Sequence, residues 1–465
     1  MQGRLNTMAA LTALAWLVLI LPGLRGFFKD SYQPYLFGGD YQWLEPLFLL
    51  LVFVVTFTLY FKCVRADLRT IKPVVVLAWT AVFTLLLVFL YPFACQDVYY
   101  YIATGKLQSF YRSNPYITTA HQIAGWRMDP FLSNTDWGFL THVYGPVWAK
   151  ITAWVVWLSG NNLFLAIILF KLWAGIIHLI NVILVGLAAQ KNHLSSGPAM
   201  LIYGWNPLLL FELPGHAHND ALVLTFITLA LLLLSYQGGI LSIPSLTMAI
   251  LTKYVPAILL PFFIVWYLLN NRLRTLLVGG LISLILALLW FSPYWAGWQI
   301  FNGLIKQMNF YSIKSLHMVI SQGLYQLLPQ LPQRLVFEAT SLVLTMVFVV
   351  VYGYILGRYW LKAKPSNNLL IICSMVVTII YLFIANKWFQ PWYLAWVMPL
   401  VAVSKLPNSL AYVGLFLTFS AELSRLPQLI AGSISLSVQL GTFIIAWLPL
   451  LIYHLKQNKL LPIFL

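Results

Sequence analysis

Asp97 is the side chain of this sequence whose position most strongly indicates chemistry. It stands in the segment Gln96-Asp97-Val98-Tyr99-Tyr100-Tyr101, where a long apolar stretch gives way to a long polar loop. The chain has only 11 acidic residues among 465, and a carboxylate kept at the edge of a membrane-spanning stretch is a functional-site candidate by default. The alternative interpretation of Asp97 is an exposed helix N-cap.

A second polar cluster, His216-Ala217-His218-Asn219-Asp220, lies between Pro214-Gly215 and the start of another apolar stretch. Asn219 or Asp220 could cap the helix that follows. Two histidines and a nearby carboxylate are also a ligand set for zinc or manganese. Direct contact with a substrate is the third interpretation, and the residues alone leave all three open.

Two lysines accompany apolar or aromatic segments in a way that suggests an anion. Lys253 stands between two short apolar halves. Lysine is a compact charge that binds phosphate well, although near a membrane surface its ammonium can also extend into the water. Lys387 begins the segment Lys387-Trp388-Phe389-Gln390-Pro391-Trp392-Tyr393. This segment is either an interfacial aromatic belt or a surface that holds a sugar ring or a lipid chain.

The composition places these clusters in an integral membrane protein. Apolar residues make up 61% of the chain and charged residues 8%, and the mean hydropathy is +0.85, which is typical of membrane proteins. The net charge of +16 does not indicate a nucleic-acid partner, because the basic residues lie in short loops between apolar stretches, as orientation signals do. The three cysteines lie far apart in different segments, which argues against a disulfide framework.

The elements that must position the clusters are transmembrane helices. About 20 apolar residues are needed to cross roughly 30 Å of hydrocarbon, and helices satisfy their own backbone hydrogen bonds there. We therefore predict an all-α polytopic membrane protein with about 12–14 transmembrane helices in a single domain, 1–465. The spans are expected at about 8–24, 44–62, 73–93, 162–189, 197–213, 219–236, 240–252, 255–269, 275–295, 335–357, 368–385, 391–404, 408–421 and 432–453. The pair 240–252 and 255–269 is too short for two full crossings and is expected to form a buried bent pair.

The distribution of basic residues gives an expected orientation. The dense basic loop at 62–72 is expected in the cytoplasm, so the next span carries Asp97 to the outer face. The loop at 94–160 is then extracytoplasmic and holds interfacial helices, including one at about 144–158 that does not cross the membrane. The other polar clusters fall on the same outer side.

Short motifs follow one another in a defined order: Asp97-Val98-Tyr99-Tyr100-Tyr101, Gly105, Asn114-Pro115-Tyr116, Tyr144-Gly145-Pro146, Asn206-Pro207, Gly215-His216, His218-Asn219-Asp220, Lys253-Tyr254-Val255-Pro256 and Gln390-Pro391-Trp392-Tyr393. In this order they resemble the GT-C integral-membrane glycosyltransferases. The resemblance is closest to the polyprenyl-phosphomannose-dependent mannosyltransferases, meaning the mycobacterial α-1,6-mannosyltransferase type and the mannosyltransferase subunit of GPI-anchor assembly. It covers most of the chain.

The resemblance implies a GT-C fold and a transfer reaction at the outer face of the plasma membrane. A hexose, expected to be mannose, leaves a polyprenyl monophosphate donor. A hydroxyl of a lipid-linked or cell-envelope glycan receives it. Asp97 falls where such enzymes carry a catalytic carboxylate, and as general base it would contribute about 10²–10⁴-fold in rate.

The resemblance also distributes the binding roles. Lys253, with Lys387 and His218, would neutralise the donor phosphate. The implied substrate-binding residues are Tyr100, Tyr101, Tyr144, His216, Asn219, Asp220, Gln390, Trp392 and Tyr393. The expected partners are a polyprenyl-phosphate sugar, a glycan or glycolipid acceptor and membrane lipid, without nucleic acid. Several members of the superfamily bind a divalent metal through an Asp-x-Asp motif. Since this sequence offers only Asp97 there, we predict transfer that needs no metal or other cofactor.

Two alternatives belong to other functional classes. A secondary transporter or a flippase of lipid-linked glycan would place a polar site on broken helices, and the short apolar halves around Lys253 give this alternative some support. The absence of an apparent internal repeat and the location of the polar groups at the membrane boundary count against the transporter or flippase. A non-catalytic assembly subunit would keep its activity when the charges of Asp97 and Lys253 are removed, and would lose it when its interface with a partner is changed.

Overall fold

The computed structural model describes residues 2–29, 31–37, 39–65, 71–236, 239–406, 408–432 and 435–457. Within these ranges the ordered elements are helices, and the only β-structure is an isolated bridge between Ala296 and Trp298. The prediction of an all-α polytopic membrane protein is therefore confirmed. Part of the basic loop predicted to lie in the cytoplasm, residues 66–70, falls outside the described residues.

Seven helices of the described residues are long and apolar enough to cross a membrane: Gly3–Phe28, Tyr41–Arg65, Leu163–Lys191, Leu273–Tyr294, Gln333–Trp360, Asn367–Ala385 and Leu436–Leu455. Each coincides with one of the predicted spans. In the helix that begins at Leu273, only Gly279 and Ser283 of its α-helical residues are buried. An apolar helix exposed along nearly all its faces is suited to contact with lipid.

Shorter apolar helices occupy the other predicted spans: Pro73–Val88, Ser196–Gly204, Pro207–His216, Asp220–Leu234, Ser242–Thr252, Val255–Leu269, Pro391–Val403 and Asn408–Leu423. All are shorter than the roughly 20 residues that span the hydrocarbon of a bilayer. The total of 12–14 crossings therefore stays a prediction. Short helices also join the spans near the candidate site: Asn302–Gln307, Leu316–Leu327 and Leu426–Ala431.

The prediction of a single helix at 197–213 is wrong. The side chain of Asn206 accepts hydrogen bonds from the backbone N–H groups of Leu208, at 3.0 Å, and Leu209, at 3.4 Å. It thereby caps a new helix, Pro207–His216, since a proline disfavours helical conformation in the residue before it. Every residue of this new helix is buried, so it lies at the centre of the protein.

The loop at 94–160 contains three α-helices: Asp97–Ser109, Pro130–Ser133 and Pro146–Ser159. The first and third pack closely, because a Cβ atom on Gly105 would lie only 2.4 Å from the carbonyl oxygen of Thr152. Only glycine allows two backbones to approach this closely. This contact fixes the helix whose first residue is Asp97.

Gly145 fixes the position of Tyr144 in the same way. A Cβ atom on Gly145 would lie 2.0 Å from the carbonyl oxygen of Leu251, so the loop passes directly over the backbone that leads into Lys253. The hydroxyl of Tyr144 reaches Asp97 at 3.3 Å, and the ammonium of Lys253 lies 5.6 Å from the centre of the Tyr144 ring. Close backbone packing therefore brings two distant polar clusters together.

Candidate active site

The carboxylate of Asp97 does not cap its helix. The N-cap position belongs to Gln96, and no side chain caps the helix there. Asp97 Oδ2 instead accepts hydrogen bonds from the hydroxyls of Tyr101, at 3.4 Å, and Tyr144, at 3.3 Å. Because the side chain is also only 18% exposed, the interpretation of Asp97 as an exposed helix cap is wrong.

His218 connects Asp97 to a second carboxylate. Its Nδ1 lies 3.4 Å from Asp97 Oδ2, and its Nε2 lies 3.2 Å from Glu212 Oε2. The ring is fully buried. It stacks on the side chain of Trp392, with 4.2 Å between the ring centroids. An imidazole held between two carboxylates and against an indole has a defined orientation.

Ala217 produces the turn that brings His218 to this position. It is in the left-handed conformation, with φ of 61°, at the end of helix Pro207–His216. The backbone N–H of His218 then donates to the carbonyl oxygen of Glu212 at 3.3 Å. Left-handed conformation costs a residue with a side chain roughly 1–2 kcal/mol, and strain of this kind tends to occur at functional sites.

The contacts of this group determine its protonation. Burial alone would raise the pKa of Asp97, but contact with His218 and the charge of Lys253 outweigh it and hold the pKa below its usual value of 3.8. Burial alone would lower the pKa of His218, but the neighbouring Cys95, Asp97 and Glu212 side chains raise it well above 6.5. At neutral pH an ionised Asp97 therefore lies beside a His218 imidazolium.

Arg425 extends the arrangement to a third carboxylate. Its Nη2 forms an ion pair with Glu212 Oε1, and its Nε lies 3.0 Å from Glu422 Oε2. Both glutamates are fully buried, and buried charges are tolerated when they are paired. We call the connected group the charge network, and its members are Asp97, His218, Glu212, Arg425 and Glu422.

Lys253 lies behind Tyr144 and is paired with Asp220. Its Nζ is 2.8 and 3.0 Å from the two carboxylate oxygens of Asp220. The indole N–H of Trp396 donates to the same carboxylate at 2.5 Å. The ammonium also lies 4.7 Å from the centre of the Tyr393 ring. The charge of Lys253 is therefore neutralised within the protein, and Asp220 is engaged by it.

A cavity of about 670 Å³ opens beside Asp97, and we call it the chamber. The predicted site residues in its lining are Asp97, Tyr100, Tyr144, Gln390, Trp392 and Tyr393. Polar residues that were not predicted also line it: Glu45, Gln96, Asp136, Lys314 and Arg425. Trp137, Phe310 and Trp388 add an aromatic wall. The chamber therefore combines carboxylates, cations and aromatic faces.

Other predicted site residues lie behind the lining or away from it. Four of them are directly behind the lining. Tyr101 and His218 contact Asp97 there, Lys253 lies beside the Tyr144 ring, and Asp220 pairs with Lys253. His216 has Nδ1 2.8 Å from the carbonyl oxygen of Phe211. The ammonium of Lys387 lies 5.3 Å from the centre of the Tyr311 ring, and Lys387 is not part of the lining. The roles predicted for these residues in binding stay predictions.

Asn219 does not act as the predicted cap. It occupies the N-cap position of helix Asp220–Leu234, but its side chain forms no capping hydrogen bond. The side chain is fully buried, and neither of its amide atoms has a hydrogen-bond partner among the described residues. A buried amide without partners is costly, so Asn219 remains a candidate for contact with a bound molecule.

Three side chains could together hold a divalent metal ion. One ligand atom from each of Cys95, Asp97 and His218 lies within 4.8 Å of the other two. The donor set suits a metal poorly, because burial raises the pKa of the Cys95 thiol to about 11 and a metal-bound thiol must lose its proton. His218 is moreover placed between two carboxylates. Metal-independent transfer stays a prediction.

Sequence reasoning missed Glu212, Glu422, Arg425 and Lys314. A signal for Glu212 was present, since Phe211-Glu212-Leu213 sets a carboxylate in an apolar stretch, as at Asp97. Arg425 and Lys314 gave no comparable signal, because isolated basic residues in short polar segments usually act as orientation signals.

Comparisons with known proteins identify the family of this chain. Residues 8–270 match the family described as "Alpha-(1->6)-mannopyranosyltransferase, N-terminal domain". The Alpha-(1->6)-mannopyranosyltransferase A of Corynebacterium glutamicum is 27% identical over 188 residues, which are 39% of this chain and 36% of that protein. The protein of the same name from Mycobacterium tuberculosis is 24% identical over 340 residues, 66% of this chain and 62% of that protein.

The chain thus spans less than two thirds of the length of either relative. No solved structure matches it. The family match covers more than half of the chain and includes Asp97, Glu212, His218 and Lys253. This chain belongs to the α-(1→6)-mannopyranosyltransferase family.

Proposed function

We propose that this protein transfers a mannosyl group from a polyprenyl monophosphate to a hydroxyl of a lipid-linked or cell-envelope glycan. The family match supports mannosyl transfer, and the names of both relatives support an α-1,6 linkage. A primary hydroxyl is then the acceptor. A donor carried on a lipid suits a chamber that lies among apolar helices able to span a membrane.

The observation that carries the proposal is the environment of Asp97. Its Oδ2 is engaged by Tyr101, Tyr144 and His218, whereas no described residue donates a hydrogen bond to Oδ1. An ionised carboxylate with one oriented oxygen and one open oxygen, on the wall of a chamber, is suited to act as a general base.

In the proposed reaction the acceptor oxygen attacks the anomeric carbon of the mannosyl group. The bond from this carbon to the acceptor oxygen forms while its bond to the phosphate oxygen breaks, and polyprenyl monophosphate leaves with the bonding electrons. Asp97 Oδ1 takes the proton of the attacking hydroxyl, which contributes about 10²–10⁴-fold in rate. Tyr101, Tyr144 and His218 keep the carboxylate in position.

Lys253 supports the base more directly than it supports the donor. Its charge lowers the pKa of Asp97, so it helps to keep that carboxylate ionised. Its own ammonium is paired with Asp220 and lies outside the lining of the chamber. The cations that line the chamber, Arg425 and Lys314, are better placed to stabilise the charge of a departing phosphate.

We place the reaction on the extracytoplasmic face. The support for this side is the basic loop at 62–72, which favours a cytoplasmic location for the segment before the helix that leads to Asp97. The enzyme would then receive its lipid donor from the outer leaflet.

The test uses the purified chain in proteoliposomes with a labelled short-chain polyprenyl-phosphate mannose and a lipid-linked mannoside as acceptor. The expected result is a labelled glycosidic product together with an equal amount of polyprenyl monophosphate. Movement of intact donor across the bilayer without product would favour the flippase or transporter alternative. Product formed only when other membrane proteins are added would favour an assembly subunit.

A further inference from the structure

Lys314 is a buried cation that the charge network does not use. It lines the chamber, and it is only 8% exposed. Arg425, the other basic residue of the lining, is already paired with Glu212 and Glu422. Among the described residues, no carboxylate lies within 4.0 Å of Lys314 Nζ, and no hydrogen bond to this atom is formed. A buried ammonium without a partner is costly, and an anion bound in the chamber would compensate it.

The backbone around Lys314 holds it in a defined place. Its N–H donates to Ser312 Oγ at 3.2 Å, and the N–H of Ser312 donates to the carbonyl oxygen of Lys387 at 2.8 Å. Ser315 caps the helix that follows by accepting from the N–H of Met318 at 3.2 Å. Lys314 therefore lies in a structured turn between the chamber and the segment that begins at Lys387.

The charge of Lys314 responds to its surroundings. Burial and the nearby charge of Arg425 lower its pKa to about 8, so the side chain is mainly protonated at neutral pH. Glu422 and Glu212 act in the opposite direction, but neither is close enough to form an ion pair with it. An anion in the chamber would therefore find a cation available there.

An aromatic wall lies close to Lys314 along the chain and lines the same chamber. Phe310 precedes Lys314 by four residues. Its ring centre is 5.6 Å from that of Trp137 and 5.8 Å from that of Trp388, and the two tryptophans are 5.7 Å apart. Aromatic faces beside a cation suit a ligand that joins a phosphate to an apolar chain.

We propose that Lys314 binds the phosphate of a polyprenyl monophosphate, and that Trp137, Phe310 and Trp388 contact the first isoprene units of its chain. This inference deepens the proposed function and rests on it for the identity of the lipid. It assigns the donor phosphate to a cation that faces the chamber. Lys253 and Lys387 do not contact the phosphate in this arrangement.

The test measures binding without turnover, by quenching of tryptophan fluorescence in detergent-solubilised protein. Three probes separate the sources of the phosphate: a short-chain polyprenyl monophosphate, the matching polyprenol, and inorganic phosphate. The variants are Lys314→Met and Lys314→Arg, with Lys306→Met as control, since Lys306 is exposed and lies outside the lining.

Wild type and Lys306→Met are expected to bind polyprenyl monophosphate alike and more tightly than polyprenol. Lys314→Met should bind it about 10- to 100-fold more weakly, the range for loss of one hydrogen bond to a charged group, and Lys314→Arg should recover part of the loss. Lys314→Met should also unfold at an equal or higher denaturant concentration than wild type, because it removes an unpaired buried charge.

Equal binding of polyprenyl monophosphate by wild type and Lys314→Met would overturn the inference, as would no preference of wild type for the phosphate over polyprenol. Tight binding of inorganic phosphate alone, lost in Lys314→Met, would keep the anion site but overturn the lipid assignment. If wild type transfers sugar and Lys314→Met binds polyprenyl monophosphate as tightly as wild type, the inference is wrong and the proposed function is retained. If polyprenyl monophosphate binding depends on Lys314 but wild type transfers no sugar, the phosphate site is retained and the proposed function is wrong.

Discussion

Glu212→Gln is expected to destabilise the protein strongly, although the side chain keeps its size. Glu212 is fully buried and contacts two cations, the His218 ring at 3.2 Å and the Arg425 guanidinium. Removing one partner of a buried ion pair typically costs about 3–5 kcal/mol. Each cation keeps a second carboxylate, Asp97 at 3.4 Å and Glu422 at 3.0 Å, so we expect a cost near the low end, about 3 kcal/mol.

Unfolding of purified protein in mixed micelles by added SDS, followed by tryptophan fluorescence, measures this cost. The matched control is Glu338→Gln, which removes an acid from an exposed pair with Arg334, where the side chains are 59% and 88% exposed. That variant should unfold at nearly the same SDS concentration as wild type, since exposed pairs contribute little. If Glu212→Gln unfolds together with the control, the charge network does not stabilise the site and the reasoning is refuted.

Two further perturbations address the base and the packing that positions it. His218→Gln removes a group that lowers the pKa of Asp97, so the acid limb of the pH–rate profile should move to higher pH. In wild type, the stability contributed by ionised Asp97 is complete above the usual pKa of the group. It is lost as the pH falls through the lowered pKa. An unchanged acid limb would mean that His218 does not act on Asp97. Gly105→Ala should destabilise by about 1–3 kcal/mol through overpacking against Thr152. Gly353→Ala is the control, because the new Cβ atom meets nothing within 4 Å and should stabilise its helix. Equal changes in stability for the two variants would contradict the close packing of Gly105 against Thr152.

The membrane helices were predictable from sequence because long apolar stretches have few other stable solutions. The span broken at Asn206 shows the limit, since the residues on both sides of the break are mostly apolar and only the Asn-Pro pair marks the cap. Asp97 and the segment at 216–220 stood out because polar residues are rare and costly among apolar ones. A polar residue in an apolar stretch can therefore be recognised from the sequence, but the residues that it contacts cannot.

The pairing of charges could not be predicted, because it depends on contacts between distant segments. Lys253 and Asp220 are 33 residues apart, and Arg425 and Glu212 are 213 residues apart. Lysine at position 253 therefore suggested a free cation for phosphate, whereas the fold supplies it with a carboxylate. From the sequence, Lys314 resembled an ordinary loop residue. In the structure it is buried, and no acidic side chain of the described residues forms an ion pair with it.

The rate of mannosyl transfer by Asp97→Asn, measured with saturating donor and acceptor, tests the role of Asp97 most directly. Asp136→Asn is the matched control, because Asp136 also lines the chamber but contacts Gln96, at 3.0 Å, and lies outside the charge network. We expect Asp97→Asn to lose about 10²–10⁴-fold in rate while it still binds polyprenyl monophosphate. Transfer by Asp97→Asn within a few-fold of the control would contradict the assignment of Asp97 as the base.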